Sequence, residues 1–329
     1  YSTVTYDGFL GSFYAATKKD ATLAATPDSI TAFKLINNAS MNVVGKNGSS
    51  FSWPIIGDPT KSAENLKYAA TFIGGDNPLS TITNNDLPEG DSCILVKESF
   101  GNAFAPLLIP HYKNIYVVGN TVIDALLATV KKDYHFEDAE IEAIEEHKRV
   151  ILVTTHRREN LGAPMHQVYR ALRRLVEAVP DTEVVFPVHR NPLVREAVSE
   201  ELEGVPGIHL VEPMEYEPFT NLMARSAIVL TDSGGIQEEA PSLGKPVLVL
   251  RDTTERPEAV EAGTVKLVGT DEEKIFHTAY ELLTDENAYK AMAEAVNPYG
   301  DGHSAERIAD ALLYIEGLSD KKPTKFIAK

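Results

Sequence analysis

A chain of 329 residues, 43% hydrophobic and 24% charged, has the length of about two globular domains and enough apolar content for sizeable cores. Its formal net charge of −17 argues against nucleic acid or an anionic membrane surface as a general partner, because both require a basic face. No apolar run reaches the roughly 18 residues of a membrane span. The single cysteine, Cys93, excludes an internal disulfide framework.

The first eight residues contain neither the basic nor the apolar segment of a signal peptide, and no initiator methionine. We therefore expect a trimmed or partial chain with no visible leader. Up to residue 118, short β-leaning runs alternate with polar turns that are rich in asparagine and glycine. The predicted elements are β-leaning runs at 51–56 and 70–73, a strand at 93–97, a turn at 98–102, a short helix at 103–109 and a strand at 115–118.

Two motifs in this first segment, Phe72-Ile-Gly-Gly-Asp-Asn-Pro78 and Lys97-Glu-Ser-Phe-Gly-Asn-Ala103, resemble the carboxyl-terminal part of the DHHW family. That family comprises bacterial surface proteins similar to SGNH-type esterase and acetyl-transfer domains. The resemblance implies Ser99 as the candidate nucleophile, which would need a histidine base held by an acid. The family's Asp-His-His-Trp motif is absent and His111 is the only histidine before residue 119, so a helix cap is the favoured interpretation of Ser99.

The charge pattern changes near residue 118. All 12 arginines lie at or after Arg149. Up to Val118 there are 8 basic and 10 acidic residues (net −2), whereas from Gly119 onward there are 23 basic and 38 acidic residues (net −15). Such a shift predicts two domains, here 1–118 and 119–329. No Pro/Gly/Ser-rich linker marks the junction, which falls within residues 115–120.

In the second segment, six near-continuous apolar runs alternate with helical patterns, as in strands that are buried on both faces. Strands are predicted at 149–154, 183–188, 208–211, 228–230, 247–250 and 265–268. Helices are predicted at 164–178, 192–202, 217–225, 236–243 and 256–261, followed by three more near 271–283, 286–295 and 304–315. The alternation predicts an α/β fold with a doubly wound parallel sheet.

The turn Asp232-Ser-Gly-Gly235 separates the fourth of these strands from the next helix. A helix start offers unpaired N–H groups, and two glycines let a phosphate approach closely, so the turn can bind an anion. Ser233 can add a hydroxyl donor, and Glu238 or Glu239 can accept hydrogen bonds from ribose hydroxyls. A nucleotide diphosphate fits both features. A simple turn with Asp232 or Ser233 as helix cap is the alternative.

A second polar cluster, residues 251–258, follows the next strand, at the edge where ligands bind in open α/β sheets. Taken together, several motifs are similar to those of the non-hydrolysing UDP-N-acetylglucosamine 2-epimerases, over roughly residues 117–318. They are Gly119-Asn-Thr-Val-Ile-Asp124, His156-Arg-Arg-Glu-Asn160, Pro187-Val-His-Arg-Asn-Pro192, Ser233-Gly-Gly-Ile-Gln-Glu-Glu239, Arg256-Pro-Glu258 and Asn297-Pro-Tyr-Gly-Asp-Gly302.

The resemblance implies the carboxyl-terminal domain of a GT-B type enzyme, with UDP or UDP-N-acetylglucosamine as ligand. It implies no cofactor and no metal. It also implies a cytoplasmic place in cell-envelope polysaccharide biosynthesis and allows a homodimer. The UDP-binding positions that it implies are His156, Met214, Phe219, Ser233, Gly234, Gly235, Glu239 and Arg256. His156 would in addition stabilise the leaving UDP, and His189 matches a histidine of a second, regulatory site.

Each of these positions has a simpler interpretation. His156 contacts phosphate or belongs to a solvated loop, and His189 is regulatory or a structural turn residue. Phe219 stacks on uracil or fills the core, and its expected place in a loop favours the base. Arg256 reaches phosphate or forms a surface pair with Glu255 or Glu258. Met214 is expected to use its backbone to contact the base or ribose.

One departure from the family pattern concerns the first 118 residues. The family eliminates UDP and adds it back after a proton moves, using carboxylates and a Gly-Thr-Arg-Pro-Glu loop from its other Rossmann domain. No such loop is found in residues 1–118. We therefore hypothesise a chimera whose second half binds UDP and whose epimerase activity is lost or severely reduced. The alternatives are a UDP-binding module without turnover and a remnant surface esterase in the first half.

Overall fold

The computed structural model describes residues 2–10, 25–34, 37–44, 50–58, 60, 71–73, 79–97, 101–118 and 121–321. The chain forms two compact units. Unit 1 contains Tyr1–Thr121 and Ser304–Ile327, and unit 2 contains Val122–His303 and Ala328–Lys329. The boundary expected between residues 118 and 119 stays a prediction. Among the described residues, no helix is both long and apolar enough to cross a membrane.

Unit 1 contains two sheets. Strands β1 (Ser2–Phe9) and β2 (Asp28–Lys34) form an antiparallel pair. The second sheet has the order β4-β3-β5-β7-β6, in which only the β6–β7 pair is parallel. Its strands are β3 (Ala39–Val44), β4 (Ser50–Ser52), β5 (Leu79–Asn84), β6 (Ser92–Val96) and β7 (Asn114–Val118).

The core of unit 1 lies on one face of the five-stranded sheet. Alternate residues of β3, β5 and β7 point to this face, as the period of two in a strand requires. They pack against a short helix, α1 (Gly101–Phe104), that continues as a 3₁₀ turn at Ala105–Leu108. The buried members are Met41, Val43, Ile73, Ile82, Ala105, Ile109, Ile115 and Val117. Near the end of the chain, Glu316 accepts a hydrogen bond from the Tyr116 hydroxyl at 2.9 Å.

The predicted elements of unit 1 are confirmed in part. The strands expected at 93–97 and 115–118 appear as β6 and β7. The run at 51–56 yields only β4, because Pro54 lacks the N–H that a ladder needs, and Ile56 forms an isolated bridge to Phe72. Trp53 follows β4 with its ring edge-on to Phe51 at 5.9 Å. Ser99 and residues 70 and 74–78 lie outside the described residues.

Unit 2 is built on a six-stranded parallel sheet with the order β10-β9-β8-β11-β12-β13. Its strands are β8 (Arg149–Thr154), β9 (Thr182–Pro187), β10 (Ile208–Val211), β11 (Ile228–Thr231), β12 (Val247–Val249) and β13 (Val265–Leu267). In chain order this is 3-2-1-4-5-6, the doubly wound arrangement. The strand order reverses between β8 and β11, and a crevice forms at such a point.

Helices cover both faces of this sheet. Ile151 and Val153 of β8 face the helices on one side of the sheet, while Val150 and Leu152 face the helices on the other. The first face carries α4 (Ala163–Ala178), α5 (Pro192–Leu202), α9 (Glu272–Thr284) and α10 (Glu286–Ala293). The second carries α2 (Val122–Thr129), α3 (Ala139–Glu142), α6 (Tyr216–Arg225), α7 (Ile236–Glu239) and α8 (Pro257–Glu261). The last helix, α11 (Ser304–Ile315), belongs to unit 1.

The predicted α/β fold with a doubly wound sheet is confirmed, and two local differences have physical causes. The helix expected at 236–243 is α7 followed by a 3₁₀ turn at Ala240–Leu243, where Pro241 has no N–H to continue the α-helical bonds. Gly244 then ends the turn in the left-handed region, with φ of 66°. Helices α2 and α3 were not predicted.

Candidate functional site

The predicted site residues lie at the carboxyl ends of neighbouring strands of unit 2. Parallel strands end at the same edge of a sheet, so residues that follow them converge there. His156 and His189 each come two residues after a strand, β8 and β9, and Met214 follows β10. The Asp232-Ser-Gly-Gly235 turn follows β11, and Arg256 ends the loop after β12. The structure therefore brings to one edge residues from four separate motifs, together with Met214.

Asp232 anchors this edge at the point where the strand order reverses. Its side chain is fully buried, and Oδ2 accepts hydrogen bonds from the backbone N–H groups of His156 and Arg157, both at 2.9 Å. The Asn160 side chain donates to the same oxygen at 3.3 Å and to the Leu250 carbonyl at 3.0 Å. One carboxylate thus ties the loop after β8 to the end of β11.

His156 and His189 form the basic side of this edge. The Nδ1 atom of His156 lies 3.0 Å from Oδ1 of Asp232, and the two histidine rings stack with centroids 6.0 Å apart. Burial alone would raise the pKa of Asp232, but the His156 side chain and the two backbone N–H groups outweigh it and hold this pKa below its ordinary value. Asp232 is therefore an anion at neutral pH, and a partly exposed histidine stands beside it.

Side-chain hydroxyl and amide groups form hydrogen bonds with the backbone of the Ser233-Gly-Gly235 turn. The Ser233 N–H donates to Thr231 Oγ1 at 2.9 Å, and that oxygen lies 2.6 Å from Thr154 Oγ1 on the neighbouring strand. Gln237 donates from its side chain to the Ser233 carbonyl at 3.0 Å. These contacts fix the turn in one conformation.

The two glycines differ in what surrounds them. A Cβ atom on Gly234 would lie 2.5 Å from Oε1 of Glu255, so any side chain there would displace this carboxylate. Gly235 is exposed, and a Cβ atom there would meet nothing closer than Oε2 of Glu239 at 3.9 Å. Packing within unit 2 therefore accounts for Gly234, while the open surface at Gly235 leaves room for a ligand.

Arg256 reaches the same turn from the loop after β12. Its guanidinium forms an ion pair with Glu238, whereas Glu255 or Glu258 was expected as the partner. The backbone N–H of Arg256 donates to Thr254 Oγ1 at 3.0 Å. Glu238 is buried in the first turn after the glycines, and the sequence pattern did not select it as the partner. Because one buried carboxylate holds the arginine by its Nε, the guanidinium is fixed in orientation.

A second acid, Glu255, occupies the space above Gly234. Its carboxylate contacts Arg251 at 2.6 Å and Arg157 at 3.5 Å. Burial by itself would raise the pKa of Glu255, but its backbone contact and Arg251 lower the pKa below its ordinary value. This carboxylate therefore balances the positive charge of the two arginines.

Helix α6 carries Phe219 and contacts Glu239, the last residue of α7. The Tyr216 hydroxyl donates to Oε1 of the buried Glu239 at 2.9 Å. The expectation that Phe219 lies in a loop is wrong. It belongs to the first turn of α6, which starts at Tyr216, and its ring is partly buried against the second-face core together with Met214.

Asp232 and Tyr216 are the residues that the sequence reasoning missed. Asp232 was expected in the anion-binding turn or, as the alternative, as a helix cap, and not as the acceptor for the loop after β8. The signal was present, because an acid directly after a buried strand and before two glycines must either be paired or be costly to bury. Tyr216 carried no such signal, since its partner is 23 residues away in the sequence.

Comparison with known proteins agrees with this geometry. The family model for UDP-N-acetylglucosamine 2-epimerase matches residues 108–313. The chain belongs to the UDP-N-acetylglucosamine 2-epimerase family. It is 53% identical over 216 residues to the Bacillus subtilis UDP-N-acetylglucosamine 2-epimerase, with 66% of this chain and 56% of the relative covered. With the Escherichia coli enzyme it shares 52% identity over 205 residues, covering 60% of this chain and 54% of that protein.

Solved structures of GT-B type show the same similarity. The S. aureus MnaA–UDP co-structure matches with a TM-score of 0.59 and 46% identity, covering 69% of this chain and 62% of the other. A Neisseria meningitidis UDP-GlcNAc 2-epimerase bound to UDP-GlcNAc matches with a TM-score of 0.54 and 45% identity, covering 65% and 59%. The predicted resemblance of the second segment to this epimerase family is confirmed.

The first segment matches a different family. The DHHW protein family model matches residues 2–118, as the sequence motifs indicated. The two family matches overlap at residues 108–118, which include β7. The chain spans about half the length of the curated relatives that it matches, 56% and 54% for the two above.

Proposed function

We propose that this chain binds UDP and UDP-N-acetylglucosamine through unit 2, and that on its own it interconverts the C2 epimers far more slowly than its full-length relatives. The observation that carries the proposal is the convergence of His156, the Ser233-Gly-Gly235 turn and Arg256 at one sheet edge. Two similar solved structures are complexes with UDP and with UDP-GlcNAc.

Each side chain at this edge has a chemical part in the proposed complex. Arg256, fixed by Glu238, and His156, beside Asp232, supply charge-assisted hydrogen bonds to the diphosphate. The N–H groups of Gly234 and Gly235, with the Ser233 hydroxyl, face the phosphate oxygens. Glu239 accepts from the ribose hydroxyls, and the half-buried Phe219, with the backbone of Met214, contacts the base.

We expect slow turnover because of the domains that the given chain contains. Elimination and re-addition of UDP at a sugar need carboxylates as acid and base near C2 and C3. The family resemblance attributes these groups to the other Rossmann domain, whereas residues 2–118 of this chain match the DHHW family. A chain without these groups would lack general acid–base catalysis, which contributes roughly 10²–10⁴-fold.

Calorimetry with UDP tests the binding part of the proposal. Saturable one-to-one binding by the unmodified chain is expected, with weaker binding by Glu239→Ala. The matched control is Glu281→Ala, which removes an exposed glutamate of α9 that faces Lys266 at 3.8 Å. Absence of UDP binding by the unmodified chain would end the proposal.

A side-by-side epimerase assay tests the catalytic part. The chain and the B. subtilis relative are given UDP-N-acetylglucosamine, and formation of the manno epimer is followed. A rate equal to that of the relative would overturn the expected loss. An acyl-ester assay on the unmodified chain and on Ser99→Ala tests the esterase alternative. That alternative requires ester hydrolysis by the unmodified chain and its loss in Ser99→Ala. A cytoplasmic location and a homodimer remain predictions, the latter checked by light scattering.

A further inference from the structure

A hydrogen bond links the first turn of α6 to the last residue of α7. Tyr216 begins α6, and its hydroxyl donates to Oε1 of Glu239 at 2.9 Å. Within the described part of the chain, no other hydrogen bond reaches the Glu239 carboxylate. The carboxylate is buried, with Glu239 only 8% exposed, whereas the tyrosine itself is 44% exposed. The tyrosine ring therefore spans from solvent to a desolvated acid.

Burial makes this contact matter more than a surface hydrogen bond. Desolvation raises the pKa of Glu239, and the Tyr216 hydrogen bond acts in the opposite direction by favouring the ionised form. Desolvation and the negative charge of Glu239 also raise the pKa of Tyr216, so its hydroxyl stays protonated and can donate at neutral pH. The neighbouring acid Glu238 is occupied by Arg256.

The hydrogen bond also fixes where the carboxylate points. With Oε1 held by Tyr216, Oε2 faces the exposed glycine, at 3.9 Å from the position of a Cβ on Gly235. An acceptor that is already held in its bound orientation loses less entropy on binding a hydroxyl. Phe219 lies three residues after Tyr216 and so projects from the same face of α6. One helical turn thus carries both a ring suited to a base and the group that orients the acid.

We propose that Tyr216 is a positioning residue that orients Glu239 toward the ribose hydroxyls of a bound nucleoside diphosphate. It thereby makes the site prefer ribonucleotides to their deoxy analogues. The proposal rests on the proposed function, because it assigns to Tyr216 a part in UDP recognition.

Calorimetry with two ligands and three proteins tests it. The unmodified chain is expected to bind UDP at least about 10-fold more tightly than 2′,3′-dideoxy-UDP, since the latter lacks both hydroxyls that the carboxylate accepts. In Tyr216→Phe the preference falls to within about 3-fold, with most of the loss in UDP binding. Tyr289→Phe is the matched control, because its hydroxyl donates to the Ala227 carbonyl at 3.2 Å, and its preference stays that of the unmodified chain.

A spectroscopic measurement on the free protein separates positioning from general damage. Carboxyl ¹³C resonances report the titration of Glu239 without any ligand. In Tyr216→Phe the pKa of Glu239 is expected to rise further, since the donor that lowers it is gone. In Tyr289→Phe it should not move.

The outcomes separate this inference from the proposed function. If the unmodified chain does not bind UDP, both fall. If it binds UDP but Tyr216→Phe keeps the full ribose preference, only the role of Tyr216 is overturned. An unchanged Glu239 titration in Tyr216→Phe also overturns the positioning role, whatever the ligand data show.

Discussion

Units 1 and 2 use buried polar side chains in different ways. In unit 1, the side chain of the buried Asn84 forms hydrogen bonds with backbone groups. It donates to the Ile109 carbonyl at 2.8 Å and accepts from the Asp86 N–H at 3.0 Å. In unit 2, the buried Asp232 also holds backbone, but it carries a charge and stands beside His156. A neutral amide suffices to close a loop. A buried carboxylate is expensive and is retained where a charge has a further use.

The sheets differ in the same sense. The unit 2 sheet is covered on both faces, so its polar groups are confined to the edges where strands end. Strand β6 of unit 1 exposes Ile94 and Val96, 52% and 54% of whose surface is accessible. Among the described residues of unit 1, β6 therefore leaves apolar side chains open to solvent.

The largest expected effect is on stability. Asp232→Ala leaves two backbone N–H groups without their acceptor and removes one of the two acceptors of the Asn160 amide. It should lower the free energy of unfolding by about 3–5 kcal/mol. Asn84→Ala in unit 1 should cost only about 1–2 kcal/mol, as expected for neutral hydrogen bonds. Urea denaturation followed by circular dichroism measures both. Equal losses would remove the contrast between the two units.

The effect of pH gives this comparison a second readout. The folded pKa of Asp232 lies below its unfolded value, so its stabilisation is present above the unfolded pKa, near pH 4, and is lost as the pH falls through the folded pKa. Asp232→Ala should therefore lose less stability than the unmodified chain on acidification below about pH 4. A parallel acid limb in both proteins would contradict the charged role of Asp232.

An intermediate effect is expected on affinity. Arg256→Lys keeps the positive charge but replaces the fork held by Glu238 with a single ammonium, so UDP binding should weaken about 10-fold. Arg173→Lys makes the same change on the exposed face of α4, where the arginine contacts Glu177 at 3.1 Å, and should leave UDP binding unchanged. Calorimetry distinguishes them. Full affinity in Arg256→Lys would mean that the guanidinium does not contact the diphosphate.

The smallest effect is predicted at Gly235. Gly235→Ala meets no atom closer than 3.9 Å and has helical φ and ψ of −63° and −42°, so stability should stay equal or rise by up to about 1 kcal/mol. The added methyl nevertheless stands on the surface proposed to face phosphate, and UDP affinity should drop about 5-fold. Thermal unfolding and calorimetry on one sample check both. If affinity is retained, the glycine serves the turn alone.

The six strands of unit 2 and most of its helices could be predicted, because continuous apolar runs and apolar residues with a period of 3.6 are local signals. The convergence of His156, Ser233 and Arg256 also follows from the sequence, since all three come after buried parallel strands. In unit 1, alternating polar and apolar residues in short strands gave weaker signals, and β1, β2, β3 and β5 were not individually located.

What the sequence could not supply was pairing over distance. The partner of Arg256 is Glu238, 18 residues away, although Glu255 and Glu258 are nearer in the chain. Phe219 was expected in a loop and also lies within the helix predicted at 217–225. The helix is correct, because Pro218 is compatible with the first turn of a helix. Burial of Asp232 depends on contacts from β8 and the loop after it, which no local pattern contains.

Trp53, beside Phe51 at the end of β4, is the only tryptophan of the chain and lies in unit 1. Its indole is therefore an optical reporter of the DHHW-like segment. A shift of its emission on adding denaturant would show directly that this segment is folded in solution, without a label and without a ligand.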